Sequence, residues 1–435
     1  MTIEKLLKYK IEILILIIIL VFSYYRSPFI FLEGRFIGEE CSHHLKYALQ
    51  NGFISNLFYY DQTAGYYNLI PNLLIGLSVF FPIEIAPFFT IYGSYIILFF
   101  IFLYCLFSKS YLFENKLQKT IGCLIFFLTP PNLPHIWMYS LTSQIHLFFL
   151  VTIILFLKNE NNFFKKISPF FVFLGGFSGV YSCLITPFFL AKYIFKKQVN
   201  DLVNFIILSL SSLLQLSLIV YSKLNYKLHE SVLVNDFNFE MVISFVYNVL
   251  VKSITGRHLS NFLYEKIQLL QSDKILVSLT ILLVIFIIFF IVLKKNFKII
   301  QKDFVLLSLF LIFILVSILI FVGSVGNQMG GHYAAATGII YLLLIFRFSQ
   351  ILINKKFKMF FYMIILISIF TGIYEFRPPQ GNLKHNYLKF LDCIDCPKWK
   401  DEITKWKKDK NYLIRTWPYN QKHCPLDINL DKHFL

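Results

Sequence analysis

Apolar runs close to the thickness of a hydrocarbon core recur along this chain, and lysine clusters punctuate them. They include Ile11–Phe22, Phe88–Phe107, Phe205–Val220, Ile275–Leu293, Phe304–Val322, Tyr333–Phe346 and Phe357–Ile373. A helix needs roughly 20 apolar residues to cross a core of about 30 Å, and only helices or closed barrels satisfy their backbone polar groups there. With 57% hydrophobic and 15% charged residues, and 51 Phe, the chain reads as an all-α integral membrane protein. Counting runs and half-runs predicts about 10–13 transmembrane helices.

The net charge of +17 raises the question of nucleic acid. The lysines instead sit at the ends of apolar runs, as at Lys196/Lys197, Lys294/Lys295/Lys298 and Lys355/Lys356/Lys358, which marks cytoplasmic loops. No nucleic-acid partner is expected. Ile11–Phe22 follows Lys5, Lys8 and Lys10 and lacks a small-residue cleavage site, so it reads as a retained helix whose N-terminus is cytoplasmic. The stretch after it is then outside. So are Ser222–Lys274, Gly323–His332 and the tail. The division expected is a polytopic body over 1–373, with its first outer loop at 33–65, and an extracytoplasmic tail over 374–435.

The N-terminal half is less regular. Tyr66–Phe81 and Phe88–Phe107 read as spans joined by "PIEIAP", while Ile121–Leu128 and Ile145–Leu157 are short. "GGFSG" predicts a break that divides Phe170–Ala191 into half-helices around an outer tip. The spacing of Leu45, Leu49, Phe53 and Leu57 predicts a helix lying on the outer surface. Broken helices at membrane depth face protein or a wet cavity, which places a cavity in the outer half.

"GRFIGEECSHHLKYA" (34–48) puts adjacent carboxylates and adjacent imidazoles just beyond the first crossing. In a helix, Glu39 and His43 are i,i+4, and Glu40 reaches His43 and His44. Such a face can hold a divalent metal through Glu39, Glu40 and His43, or a carboxylate can serve as general base. The plainer reading is a polar helix start at the membrane edge. Cys105, Cys123 and Cys183 lie within apolar runs as packing residues. Cys393 and Cys396 in "DCIDCP" are expected in a local disulfide, or one of them paired with Cys424. Trp399, Trp406 and Trp417 either stack on sugars or dock the tail. Asp61 and Gln62 line the cavity or cap a helix. No P-loop, G-x-S-x-G or H-E-x-x-H occurs.

Serial motifs along the chain resemble bacterial members of the GT-C class of polytopic glycosyltransferases. The first is Arg35, Phe36, Glu39 and Glu40. Gly65, Tyr66, Asn68 and Pro71 follow, and then Pro82, Glu84 and Pro87. "SLTSQIHLFF", "GGFSGVYSCLITPFF", "GGHYAAATGIIYLLLIF" and "WKDEITKWKKDKNYLIRTWPY" are similar to later family segments. His332 stands where the family shows Arg, and Asn72 where a basic residue often follows the proline. The resemblance implies inverting transfer of a sugar from a polyprenyl-phosphate carrier to a glycan, lipid or protein acceptor outside the cytoplasmic membrane. Glu39 or Glu40 would be the base. Arg35, Lys46, Tyr66, Arg257, His332 and Tyr333 would bind substrate, and a divalent cation (Mg or Mn) is an implied option. Competing readings are a flippase or transporter of lipid-linked glycans, an O-antigen-type polymerase or ligase, and a non-enzymatic assembly subunit.

Overall fold

The computed structural model describes residues 9–37, 39–62, 64–131, 136–158, 163–225, 239–269, 273–323, 332–376, 398–415 and 423–424. α1 (Lys10–Arg26) and the short α2 (Pro28–Glu33) lead to a π-type turn at Glu40–Leu45, which continues as α3 (Lys46–Leu57). β1 (Tyr60–Asp61) pairs antiparallel with β2 (Tyr66–Tyr67). Then come α4 (Leu69–Ser78), α5 (Ala86–Phe107), α6 (Lys116–Leu128), α7 (Ser143–Leu155), α8 (Phe163–Gly176), α9 (Thr186–Lys196) and α10 (Val199–Asn225). α11 (Phe239–Phe245), a second π-type turn (Val246–Val251) and α12 (Lys252–Gln268) form one broken rod. α13 (Asp273–Ile300), α14 (Phe304–Gly323), α15 (His332–Ile351) and α16 (Lys355–Tyr374) complete the body. The tail contributes α17 (Trp399–Lys408) and a hairpin of β3 (Ile414–Arg415) with β4 (His423–Cys424).

The all-α membrane architecture is as expected, but the helix lengths differ from the expected spans. Among the described residues six helices are long and apolar enough to cross a membrane: Ala86–Phe107, Val199–Asn225, Phe239–Gln268, Phe304–Gly323, Ala334–Ile351 and Lys355–Tyr374. The predicted span Tyr66–Phe81 is instead a β-strand followed by the ten-residue α4. Every residue of the 13-residue α7 is buried. Surrounded by protein, such a helix need not match the bilayer thickness. Ser222–Lys274, read as an outer segment, contains the broken rod Phe239–Gln268; its lysine, arginine and histidine dilute the apolar signal. "GGFSG" does end α8, and a short 3₁₀ turn at Ser182–Ile185 restarts the chain into α9.

Exposed apolar side chains on α10, including Leu210, Leu213, Leu216 and Leu224, form the face such a helix turns to lipid. The predicted surface helix is α3. It buries Leu49 while exposing Ile54, and Phe58 at its end is also exposed, as an interfacial helix would. At the lysine-rich end of the bundle, buried charges are paired. Lys192 meets Asp201 at 2.9 Å, and Arg347 grips Asp303 at 2.7 Å while donating to Gln350 and the Tyr111 carbonyl.

At the opposite end the tail docks on the first loop. Trp399 donates from Nε1 to the Ile83 carbonyl at 2.7 Å and meets Phe36 edge-on at 5.0 Å. With Trp406, Ile403 and Ile414 it closes a small core over Cys41, Leu45 and Leu49. Lys398–Glu33 and Lys407–Glu84 ion pairs flank this contact. Glu402 ties the tail together through Arg415 and Tyr412; burial alone would raise its carboxyl, but these donors hold it down at about 2. Docking thus accounts for Trp399 and Trp406, whereas Trp417 lies outside the described residues. Cys41 is disulfide-bonded, and β4 packs on the turn that carries it. Cys393 and Cys396 lie outside the described residues.

Candidate functional site

The wide turn at Glu40–Leu45 sends the two adjacent carboxylates to different places. Glu40 is fully buried. Its Oε2 accepts from the Ile37 amide at 3.0 Å, and its Oε1 accepts from the Ser140 amide and hydroxyl at 2.8 and 2.6 Å. Burial pushes its carboxyl up to about 7, against the three hydrogen bonds that favour the anion. Glu40 therefore joins the first loop to the turn that opens α7.

Glu39 is half-buried, and its Oε2 accepts from the Tyr139 hydroxyl at 2.8 Å. Burial, and then the charges of Glu39 and Glu40, hold the Tyr139 hydroxyl well above its ordinary range, so it remains a donor. Tyr66 lies close enough to feel both Glu39 and Asp61, and burial likewise raises its hydroxyl. Its oxygen accepts from Gln144 Nε2 at 3.2 Å. Gln144 is itself confined by Gly179, where φ is +91° and an added Cβ would lie 1.9 Å from the Gln144 carbonyl oxygen. The strand carrying Tyr66 is clamped from α10: the Gln215 amide both donates to and accepts from the Tyr67 backbone at 2.9 Å. A glutamine in the middle of a long apolar helix thereby adds to the backbone pairing of this strand, whose Tyr67 carbonyl also accepts from the Gly179 amide at 3.1 Å.

The two histidines also part company. His44 is buried, and its Nδ1–H donates to Asn72 Oδ1 at 3.0 Å; burial drives its imidazole down to about 4, so it is neutral. The Asn72 amide donates to the Tyr59 carbonyl at 2.5 Å, which fixes which way it points. Asn72, at the position where a basic residue was expected, is a packing hub. His43 faces outward, with Nδ1 at 2.8 Å from Asp61 Oδ2. Asp61 belongs to β1, and its Oδ1 accepts the Ala64 amide within the hairpin loop.

A second cluster flanks the same 136–140 turn. The Arg26 guanidinium lies over the Trp137 ring at 4.9 Å and the Phe376 ring at 4.7 Å. Arg26 and Arg257 are near enough to repel, and Lys252 feels both Arg257 and Glu375. The rod breaks at Gly256 (φ +78°), freeing the amides of Arg257 and His258. Both donate to Glu375 Oε1, at 2.5 and 3.0 Å. A Cβ at Gly256 would lie 2.6 Å from that oxygen and 2.4 Å from the Thr371 methyl, so glycine is required. Trp137 and Tyr139 are two residues apart, at most about 7 Å between Cα atoms. Both clusters thus contact one short turn, the cations through Trp137 and the carboxylates through Tyr139 and Ser140.

Of the residues expected from sequence, Glu39 and Tyr66 come together, and Arg257 belongs to the cationic corner. Arg35 is buried beside Glu33, and burial lowers its guanidinium. Lys46 is half-buried at the start of α3. His332 and Tyr333 open α15, and their side chains lie outside the described set. The expected metal set of Glu39, Glu40 and His43 does not converge: Glu40 is turned to Ile37 and Ser140, His43 to Asp61. No group of three or more His, Cys, Asp or Glu side chains suited to a metal occurs among the described residues. Tyr139, Ser140, Lys252 and Glu375 were not singled out from sequence. A Trp-x-Tyr-Ser turn between apolar helices carried too weak a signal. No family model, curated protein or solved structure matches the chain.

Proposed function

We propose that this multi-pass protein transfers a sugar from a polyprenyl-phosphate carrier to a hydroxyl-bearing acceptor at the outer face of a bacterial cytoplasmic membrane. The reading is supported most by one juxtaposition. A half-buried carboxylate, Glu39, stands on one flank of the 136–140 turn, and the cations Arg26, Lys252 and Arg257 gather on the other. The serial resemblance to GT-C enzymes, including their acidic first loop, adds to it. So does the Cys41 disulfide, because such bonds persist in oxidising compartments outside the cytosol.

In this mechanism the acceptor hydroxyl attacks the anomeric carbon as its proton moves to Glu39. The bond to the carrier phosphate breaks, and the phosphate leaves with the electron pair, giving inversion. The cationic corner stabilises the departing phosphate, a role that fixed positive charge serves well in a water-poor site. Glu40 holds the loop rather than touching substrate.

The test uses membranes containing the protein, supplied with labelled nucleotide sugars so that carrier-linked donors form in situ. Glu39→Gln is expected to lower transfer by a factor of about 10² or more. Arg257→Gln should weaken use of the donor. Undiminished transfer by folded Glu39→Gln overturns the mechanism.

A further inference from the structure

Cys41 is disulfide-bonded, and the identity of its partner decides what the tail does for the first loop. The chain has seven cysteines. Cys105, Cys123 and Cys183, in the body, are free thiols. The partner is therefore Cys393, Cys396 or Cys424, all of them in the tail.

Position selects among these three. A disulfide holds its two Cα atoms roughly 4–7 Å apart. Cys41 is fully buried on the π-type turn Glu40–Leu45, in the small core it shares with Trp399, Ile403, Trp406 and Ile414. β4 consists of His423 and Cys424 alone, and its backbone comes within 8 Å of that turn. The hairpin register sets Cys424 directly opposite Ile414. Directly opposed residues of an antiparallel pair stand on one face of the sheet. Ile414 is fully buried in the core around Cys41, so Cys424 holds the register position on the face turned to Cys41. Cys393 and Cys396, spaced C-x-x-C, can close on each other instead.

We infer that Cys41 and Cys424 form a disulfide that bolts the tail to the loop carrying Glu39 and Glu40. It forms by exchange with a disulfide-bearing oxidant of the compartment outside the cytosol. The two thiols give up two electrons and two protons as one S–S bond forms, and the oxidant's disulfide is reduced to two thiols. The bond lies where weaker contacts already seat the tail: Trp399 on Ile83, Lys398 on Glu33 and Lys407 on Glu84. Those two ion pairs are partly solvated and individually weak, so the covalent link carries the holding. It also fixes the turn from a second side, since Glu40, the residue before Cys41, is already bonded to Ser140. The inference does not depend on the transferase reading.

Peptide mapping decides the connectivity, because trypsin puts the candidates on three different peptides: Cys41 on 36–46, Cys393 and Cys396 on 390–398, and Cys424 on 423–432. Membranes holding the full chain are capped with N-ethylmaleimide, which blocks exchange, and digested without reductant. Mass spectrometry should find 36–46 linked to 423–432, and dithiothreitol should separate them. A link from 36–46 to 390–398, or a maleimide-capped Cys41, overturns the inference. A second measurement reads the consequence. Cys41→Ser, Cys424→Ser and the double variant should each speed proteolytic release of the tail by about the same factor, roughly tenfold or more. Dithiothreitol should do the same to the wild type. A tail that stays as resistant in Cys424→Ser as in the wild type overturns the bolt.

Discussion

The two ends of this bundle handle buried charge in opposite ways. At the lysine-rich end each buried ion has its counterpart: Lys192 has Asp201, and Arg347 has both oxygens of Asp303. At the other end Arg26, Lys252 and Arg257 share one corner, where Glu375 acts on Lys252 and Arg257, while Glu39 and Glu40 bond Tyr139 and Ser140 of the adjoining turn. Closed pairs hold helices together. The open end groups like charges instead, and it is this arrangement that the proposed transfer reaction would draw on.

The contrast can be broken most severely at its closed end. Asp201→Ala strands a buried ammonium and should cost about 3–5 kcal/mol in thermal unfolding in detergent. Lys192→Met combined with Asp201→Leu should recover most of that, because an apolar pair of similar volume needs no counter-ion. Failure of the double variant to recover would mean that the pair does more than cancel charge.

At the open end, Glu40 gives the next largest effect. Its folded-state value, near 7, lies above the ordinary carboxyl range, so the folded protein binds the extra proton. Its contribution is therefore fully present below pH ~4.5 and is lost as pH rises through about 7, a change of up to about 3 kcal/mol. Glu40→Gln should flatten that slope in melts across pH 4.5–7.5, an interval set by its ordinary and raised values. An unchanged slope would remove Glu40 as its source.

Gly256→Ala should cost about 1–3 kcal/mol, since the added methyl meets Glu375 and Thr371 and its positive φ is strained. It should also lower sugar transfer by disturbing Arg257. Smallest is Lys407→Ala. Its pair with Glu84 is half-solvated, so the melt should move by less than about 0.5 kcal/mol.

Much of the helical outline was legible in sequence, because apolar runs report burial in lipid directly. Phe304–Val322 and Phe357–Ile373 correspond closely to α14 and α16. The break at "GGFSG" was also legible, since glycines there leave the helix ladder. The short interior helices were not: α7 is shielded by neighbours, so its length carries no information about bilayer thickness. Within the site, the sequence located the acidic pair but not its division of labour. Glu40 is fixed by Ser140, 100 positions away, and Arg257 by Glu375, 118 positions away. Local spacing holds no record of such partners. Asp61 read more readily as a helix cap than as the carboxylate behind His43, because the hairpin that aims it is only two residues per strand.

The dock between Trp399 and Ile83 joins parts of the chain 316 positions apart. During synthesis the Glu39 loop emerges early and waits uncovered while the intervening helices insert. Its cover, Trp399 and its neighbours, is made only after the body's last helix, Lys355–Tyr374. Until Trp399 is made, the loop that carries Glu39 lacks this support, so a chain cut before it would leave the loop uncovered.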